Sequence, residues 1–173
     1  MKNDQKASTN NVKQLTKSMM FIKEIEPNID LMKAERFRGV LSLDEDDAGV
    51  LILCLNYQGE EDVSLSKESE HYRDSIKAYK RIASEMEECL ERICESGEDE
   101  FTINLSFWNM DYLISAIELT LDVAKDDDWE IGFRIELEAI YDNLYEIYNQ
   151  WKLAVSRKKT SVKSKRSFKI KGE

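Results

Sequence analysis

Proline occurs once in this chain of 173 residues and glycine six times, so few positions force the backbone out of a helix. Histidine also occurs once, at His71. A zinc site, a Cys–His pair or a Ser–His couple needs partners around an imidazole that this sequence does not supply, so His71 reads as a surface residue. No glycine-rich loop precedes a helix to cradle a phosphate, and nothing resembles a nucleophile elbow. The longest apolar run is the six residues 50–55. A bilayer-spanning helix needs about 20, so no membrane span is expected. The first residues, Met1, Lys2, Asn3 and Asp4, lack the apolar stretch of a signal peptide.

Cysteine is sparse and unpatterned: Cys54, Cys89 and Cys94. Cys89 and Cys94 stand five residues apart, on different faces of a helix, where they can neither bridge one another nor share a metal. Free thiols in a reducing compartment, and therefore a cytoplasmic location, are the expectation. With 35 carboxylates in the chain, no pair stands out for acid–base work. No catalytic residue, cofactor or metal is assigned, and the chain is expected not to be an enzyme.

Charge is what the sequence has in abundance. The overall −10 is the remainder of −21 in residues 21–150 against +3 in residues 1–20 and +8 in residues 151–173. An acidic body therefore lies between two basic arms. Residues 1–20 lack apolar periodicity and read as a disordered basic arm. Residues 157–173, rich in Ser, Lys and Arg, read as a disordered basic tail. Residues 21–156 form the expected acidic helical domain.

Two apolar stripes alternate in steps of four and three. One is Tyr72, Ile76, Tyr79, Ala83, Met86, Leu90 and Ile93, with Gly97 as its stop signal. The other is Phe133, Leu137, Ile140, Leu144, Ile147, Trp151 and Ala154. Neither outlasts about three heptads, which favours packing on the domain's own core over a coiled-coil seam. Between them, Phe101, Ile103 and Leu105 alternate with polar residues as a short strand would. Residues 107–124 are apolar on most sides, the pattern of a central helix. Asp126, Asp127 and Asp128 should end that helix and place acids at the start of the next.

Residues 37–57 resemble residues 101–121 at an offset of 64: Phe37, Leu41, Ser42, Asp47 and Leu55 match Phe101, Leu105, Ser106, Asp111 and Leu119. Read as a repeat, this is strand–helix–helix twice, packed as one predominantly α-helical α+β domain. Ser42, Leu43, Asp44 and Glu45 fit a capping box opening a helix at Leu43. The rival reading makes residues 36–43 and 50–57 the strands of a hairpin across Asp44, Glu45, Asp46, Asp47, Ala48 and Gly49. That acidic hexapeptide imitates a calcium loop only in part. Ala48 and Leu55 occupy its fifth and twelfth places, so an acidic helix start is the better account.

Three surfaces remain for function. Eight acids fall within residues 85–100. Of these, Glu87, Glu88, Glu91 and Glu95 are the favoured contacts for a partner with a basic surface, followed by Asp44, Asp46 and Asp47. Tyr141, Tyr145 and Tyr148, at i, i+4 and i+7, form an aromatic strip suited either to widening the core or to docking. Arg157, Lys158, Lys159, Lys163, Lys165 and Arg166 would meet nucleic-acid phosphates without reading bases. The leading expectation is a non-enzymatic protein-binding module, an accessory or inhibitor protein. Its acidic face would dock on a basic, nucleic-acid-binding partner as a nucleic-acid mimic. A nucleic-acid-associated protein acting through the tail, and a structural protein that oligomerises through its stripes, are the alternatives.

Overall fold

The computed structural model describes residues 28–60 and 70–157. Within them the chain runs α1 (Leu31–Arg36), β1 (Arg38–Asp44), α2 (Glu45–Gln58), α3 (Glu70–Ser96), β2 (Glu100–Ser106), α4 (Phe107–Asp126) and α5 (Ile131–Ala154). The class is predominantly helical α+β, and the order strand–helix–helix occurs twice. Two compact units divide the described residues, those from 35 to 151 and the two ends, 28–34 with 152–157.

In the end unit, Asp30 begins α1, its carboxylate accepting from the backbone N–H groups of Met32 and Lys33 at 3.0 and 3.1 Å. Ile29 forms a single antiparallel bridge with Ser156, and the Asp30 N–H donates to the Val155 carbonyl at 2.8 Å. Residues 1–27 and 158–173, which hold the N-terminal arm and nearly all of the tail, lie outside the described residues, as does the side chain of His71.

In the larger unit the two strands form one antiparallel ribbon in which Gly39 faces Leu105, Leu41 faces Ile103, Leu43 faces Phe101 and Asp44 faces Glu100. Burial alternates strictly along both strands, so one face of the ribbon is core and the other is open. Gly39 sits on the buried face beneath Trp151: a Cβ there would come within 2.1 Å of the indole. Only glycine permits that approach. Phe37 flanks the same indole, ring centroids 5.1 Å apart.

The helix after β1 overturns two expectations. It begins at Glu45, capped by Asp44, whose side chain accepts from the Asp47 N–H at 2.8 Å. Ser42 is therefore not the cap and Leu43 is not helical. Extending the strand through Asp44 buries Leu43 opposite Phe101, which a helix from Leu43 would forgo. The hairpin also fails, because residues 50–57 lie within α2 with Leu51, Cys54 and Leu55 on its buried face. Equivalent strand ends and caps, Asp44 and Ser106, are 62 residues apart rather than 64. Sequence identity thus aligns Ser42 with a residue doing a different job.

The central helix α4 buries nine side chains, Phe107 and Leu113 among them. Each such large apolar side chain contributes roughly 2–3 kcal/mol by leaving water. Asp128, in the left-handed region at φ 54°, follows its end. The next helix begins three residues later with no acid in its first turn, contrary to the sequence reading. Trp129 fills that gap. Its N–H returns to the Ala124 carbonyl at 3.0 Å, and its ring lies 5.3 Å from Tyr57 and 5.9 Å from Phe133. At the end of α3, Gly97 takes φ 75° and donates to the Ile93 carbonyl at 2.8 Å, the left-handed stop expected there. Of the first stripe, Ile76, Tyr79, Ala83, Met86 and Ile93 are buried; of the second, Leu137, Ile140, Leu144 and Trp151. Ala154, at the end of the second stripe, is exposed.

Thr120, fully buried, ties α4 to α2. Its hydroxyl donates to the Ala116 carbonyl at 2.7 Å and accepts from the Gln58 amide at 3.1 Å. The neighbouring Cys54 thiol is pushed up to about 11 by burial. An unfolded chain releases this proton from about pH 9, whereas the folded chain holds it to about 11. Folding therefore becomes less favourable as pH rises through that window, by about 3 kcal/mol in all. Denaturant titrations from about pH 8 to about 9.5 should show the onset of this decline, and Cys54→Ala should flatten it there. Above about pH 10 the raised phenols of Tyr79, Tyr112 and Tyr141 add a decline of the same sign. All three cysteines are free, with Cys94 exposed, Cys89 half-buried and Cys54 buried. Alkylation of the native protein should accordingly proceed in the order Cys94, Cys89, Cys54, followed by mass spectrometry. Rapid labelling of Cys54 in native buffer would contradict this packing.

Candidate interaction surface

The ribbon register unites two acidic clusters that are more than fifty residues apart in sequence. Asp44 ends β1 directly opposite Glu100, which begins β2. Glu45, Asp46 and Asp47 follow in the first turn of α2, where the helix dipole favours acids. Glu98 and Asp99 precede Glu100 just after the Gly97 turn. Seven carboxylates thus collect at one end of the ribbon. Like charges directly opposite on paired strands destabilise, and Ser42 offsets part of this by donating to Glu100 Oε2 at 3.4 Å. The Asp47 carboxyl is raised above its ordinary value, chiefly by burial and then by Asp44, Glu136 and Asp46. Glu136 lies on α5, so a second helix adds its charge to this neighbourhood.

Asp44 carries two opposed effects, which substitution separates. Asp44→Ala loses the cap and should cost about 1 kcal/mol. Asp44→Asn keeps the capping oxygen and removes the repulsion with Glu100, so its loss should be smaller or reversed. Equal losses in thermal melts would show that the capping oxygen contributes nothing, and a clear loss for Asp44→Asn would show that the repulsion is negligible.

Glu87, Glu88, Glu91 and Glu95 are all exposed on the C-terminal half of α3. Asn56 of α2 donates to Glu87 Oε1 at 3.3 Å. Glu87, Glu91 and Glu95 follow one another at i, i+4 and i+8, like charges on a single line. Exposed Arg73, Lys77, Lys80 and Arg81 occupy the other half of the helix, and the last turn holds no base. Despite Glu70 and Asp74 near its start, the net charge of each half of α3 therefore opposes its dipole, which favours acids at the start and bases at the end. Stability of the helix does not account for this arrangement.

The tyrosine strip is turned towards α4. Tyr148 is buried, stacked on Phe107 at 5.6 Å, and donates to Asp111 Oδ1 at 2.6 Å. Half-buried Tyr141 donates to Glu118 Oε1 at 2.6 Å, and its phenol is held above the ordinary range by burial and then by that bond. Tyr145 sits between them, at ring distances of 5.4 and 6.2 Å. Of the basic tail, Arg157 is exposed and its N–H donates to the Asn28 carbonyl at 2.6 Å. Lys158, Lys159, Lys163, Lys165 and Arg166 lie outside the described residues.

Among the described residues no group of three or more His, Cys, Asp or Glu is placed to hold a metal ion, and no helix is long and apolar enough to cross a membrane. Sequence reasoning passed over Glu98, Asp99 and Glu100 as site residues. Their charge was legible, but their apposition to Asp44 depends on strand register, which short alternating segments do not specify. In comparison with known proteins, the chain matches no family model, no curated protein and no solved structure.

Proposed function

We propose that this protein is a non-enzymatic binding module whose acidic surface docks on a basic partner protein. Its sharpest form is an inhibitor that presents carboxylates where a nucleic-acid-binding partner expects phosphates. The observation that carries this reading is the meeting of Asp44 with Glu100, which gathers seven acids at one end of the ribbon. The acidic half of α3 adds Glu87, Glu91 and Glu95, rising about 6 Å from one to the next along a single line, with Glu88 beside them. Such a field draws basic surfaces at long range and repels acidic ones, supplying both rate and selectivity.

Retention of proteins from a native extract at low and high salt tests the proposal, using three forms of the chain. The wild type and a form lacking residues 157–173 should retain the same basic partner at low salt and release it at high salt. A form with Glu87, Glu88, Glu91 and Glu95 changed to Lys should not retain it. Unchanged retention by the reversed form would refute the acidic-face reading. Loss on tail deletion alone would assign binding to the basic tail.

A further inference from the structure

Beside the acidic end of the ribbon lies a cleft of about 460 Å³, within the size range of small binding pockets. Its deep residues are apolar: Ile93 is 3% and Phe101 8% exposed. At its rim stand the exposed carboxylates of Glu98 and Glu100, with the hydroxyls of Ser42 and Thr102 beside them. Glu100 is already turned towards the cleft by its bond from Ser42. Among the described residues the one cation in the lining, Arg92, is held along its own helix. Its Nε donates to the Glu88 carbonyl at 3.3 Å, and Nη2 lies 4.0 Å from Cys89 Sγ. Two carboxylates against one guanidinium leave the rim net negative.

An apolar bottom under an anionic, hydroxyl-bearing rim fits a side chain with an apolar stem and a cationic, multiply donating head. We infer that this cleft is the anchoring pocket for one arginine side chain of the basic partner, an assignment that rests on the proposed function. The methylene stem lies on Ile93 and Phe101. The flat guanidinium presents its five N–H donors to Glu98, Glu100 and the two hydroxyls, a fork that lysine cannot reproduce. Arginine anchors of this kind dominate many protein interfaces.

Cys89 lines the same cleft and is half-buried, so it reports occupancy, whereas exposed Cys94 serves as the internal reference. The probe is a fluorescent hexa-arginine peptide titrated into the full chain at low salt, with hexa-lysine as control. Binding is read by anisotropy and by N-ethylmaleimide labelling of the two thiols. Hexa-arginine should bind and slow alkylation of Cys89 relative to Cys94, with hexa-lysine protecting less. The pair Glu98→Gln and Glu100→Gln should weaken binding roughly tenfold, more than Glu87→Gln with Glu88→Gln on the helix face. Binding with equal sensitivity to both pairs and no protection of Cys89 overturns the pocket while leaving the acidic surface standing. Equal protection by hexa-lysine overturns the arginine assignment. Absence of any binding overturns the pocket and the proposed function together.

Discussion

Gly39→Ala is expected to lose about 3 kcal/mol of stability, at the upper end of what overpacking a core costs. The added methyl would stand 2.1 Å from Trp151 Cζ2 and 2.5 Å from two further indole carbons. Atoms of this kind rest at about 3.5–4.0 Å, so the indole must leave its place. It cannot do so cheaply, because Trp151 is 8% exposed and packs against Phe37. A double-mutant cycle isolates the contact. Trp151→Leu alone should also destabilise, but Gly39→Ala in that background should cost far less than in the wild type. Chemical denaturation measures all four proteins. A Gly39→Ala change of under about 0.5 kcal/mol would mean that the indole does not lie where the packing places it.

Converting Glu87, Glu88, Glu91 and Glu95 to Gln should weaken partner binding by at least a hundredfold while making the protein more stable. The two effects are predicted to run in opposite directions, which is what makes the experiment decisive. Glutamine preserves helix propensity and the oxygen that accepts from Asn56. It removes the like-charge line of Glu87, Glu91 and Glu95 and the acids nearest the negative end of the α3 dipole. Those terms together are worth about 1 kcal/mol, or roughly 2–4 °C in Tm for a chain of this size. Acid should act in the same sense through Asp47. Its folded carboxyl takes up a proton before its unfolded counterpart, so stability should rise as pH falls through its raised pKa towards the ordinary carboxylate value. A variant that melts higher yet binds less cannot be dismissed as misfolded. If it melts lower, the acids are structural and the functional reading loses its physical basis.

Helix positions were readable because their cause is local. The stripe from Ile76 to Ile93 repeats at a period only one face of a helix satisfies, and Gly97 supplies the positive φ that ends it. The strand at Phe101, Ile103 and Leu105 was legible through its period of two. Ser42 was misread because a capping box and a strand end share residue types. Burial of Leu43 against Phe101 chose between them, and that contact spans 58 residues. The turn before α5 was not legible locally, because Trp129 there packs against Tyr57, more than seventy residues away, as well as against Phe133.

By itself the sequence determined the charge of the body, the helical class and the acidity of residues 85–100. These follow from composition and from side-chain periods that any short segment carries on its own. The choice of helix over hairpin at residues 50–57 waited for the packing of Leu51, Cys54 and Leu55. Only the tertiary structure decided that Asp44 faces Glu100, that Tyr148 is spent on Phe107 and Asp111, and that a cleft opens beside Cys89. Strand register and helix packing are chosen by apolar residues far apart in the chain, and the polar residues between them are carried to wherever that packing leads.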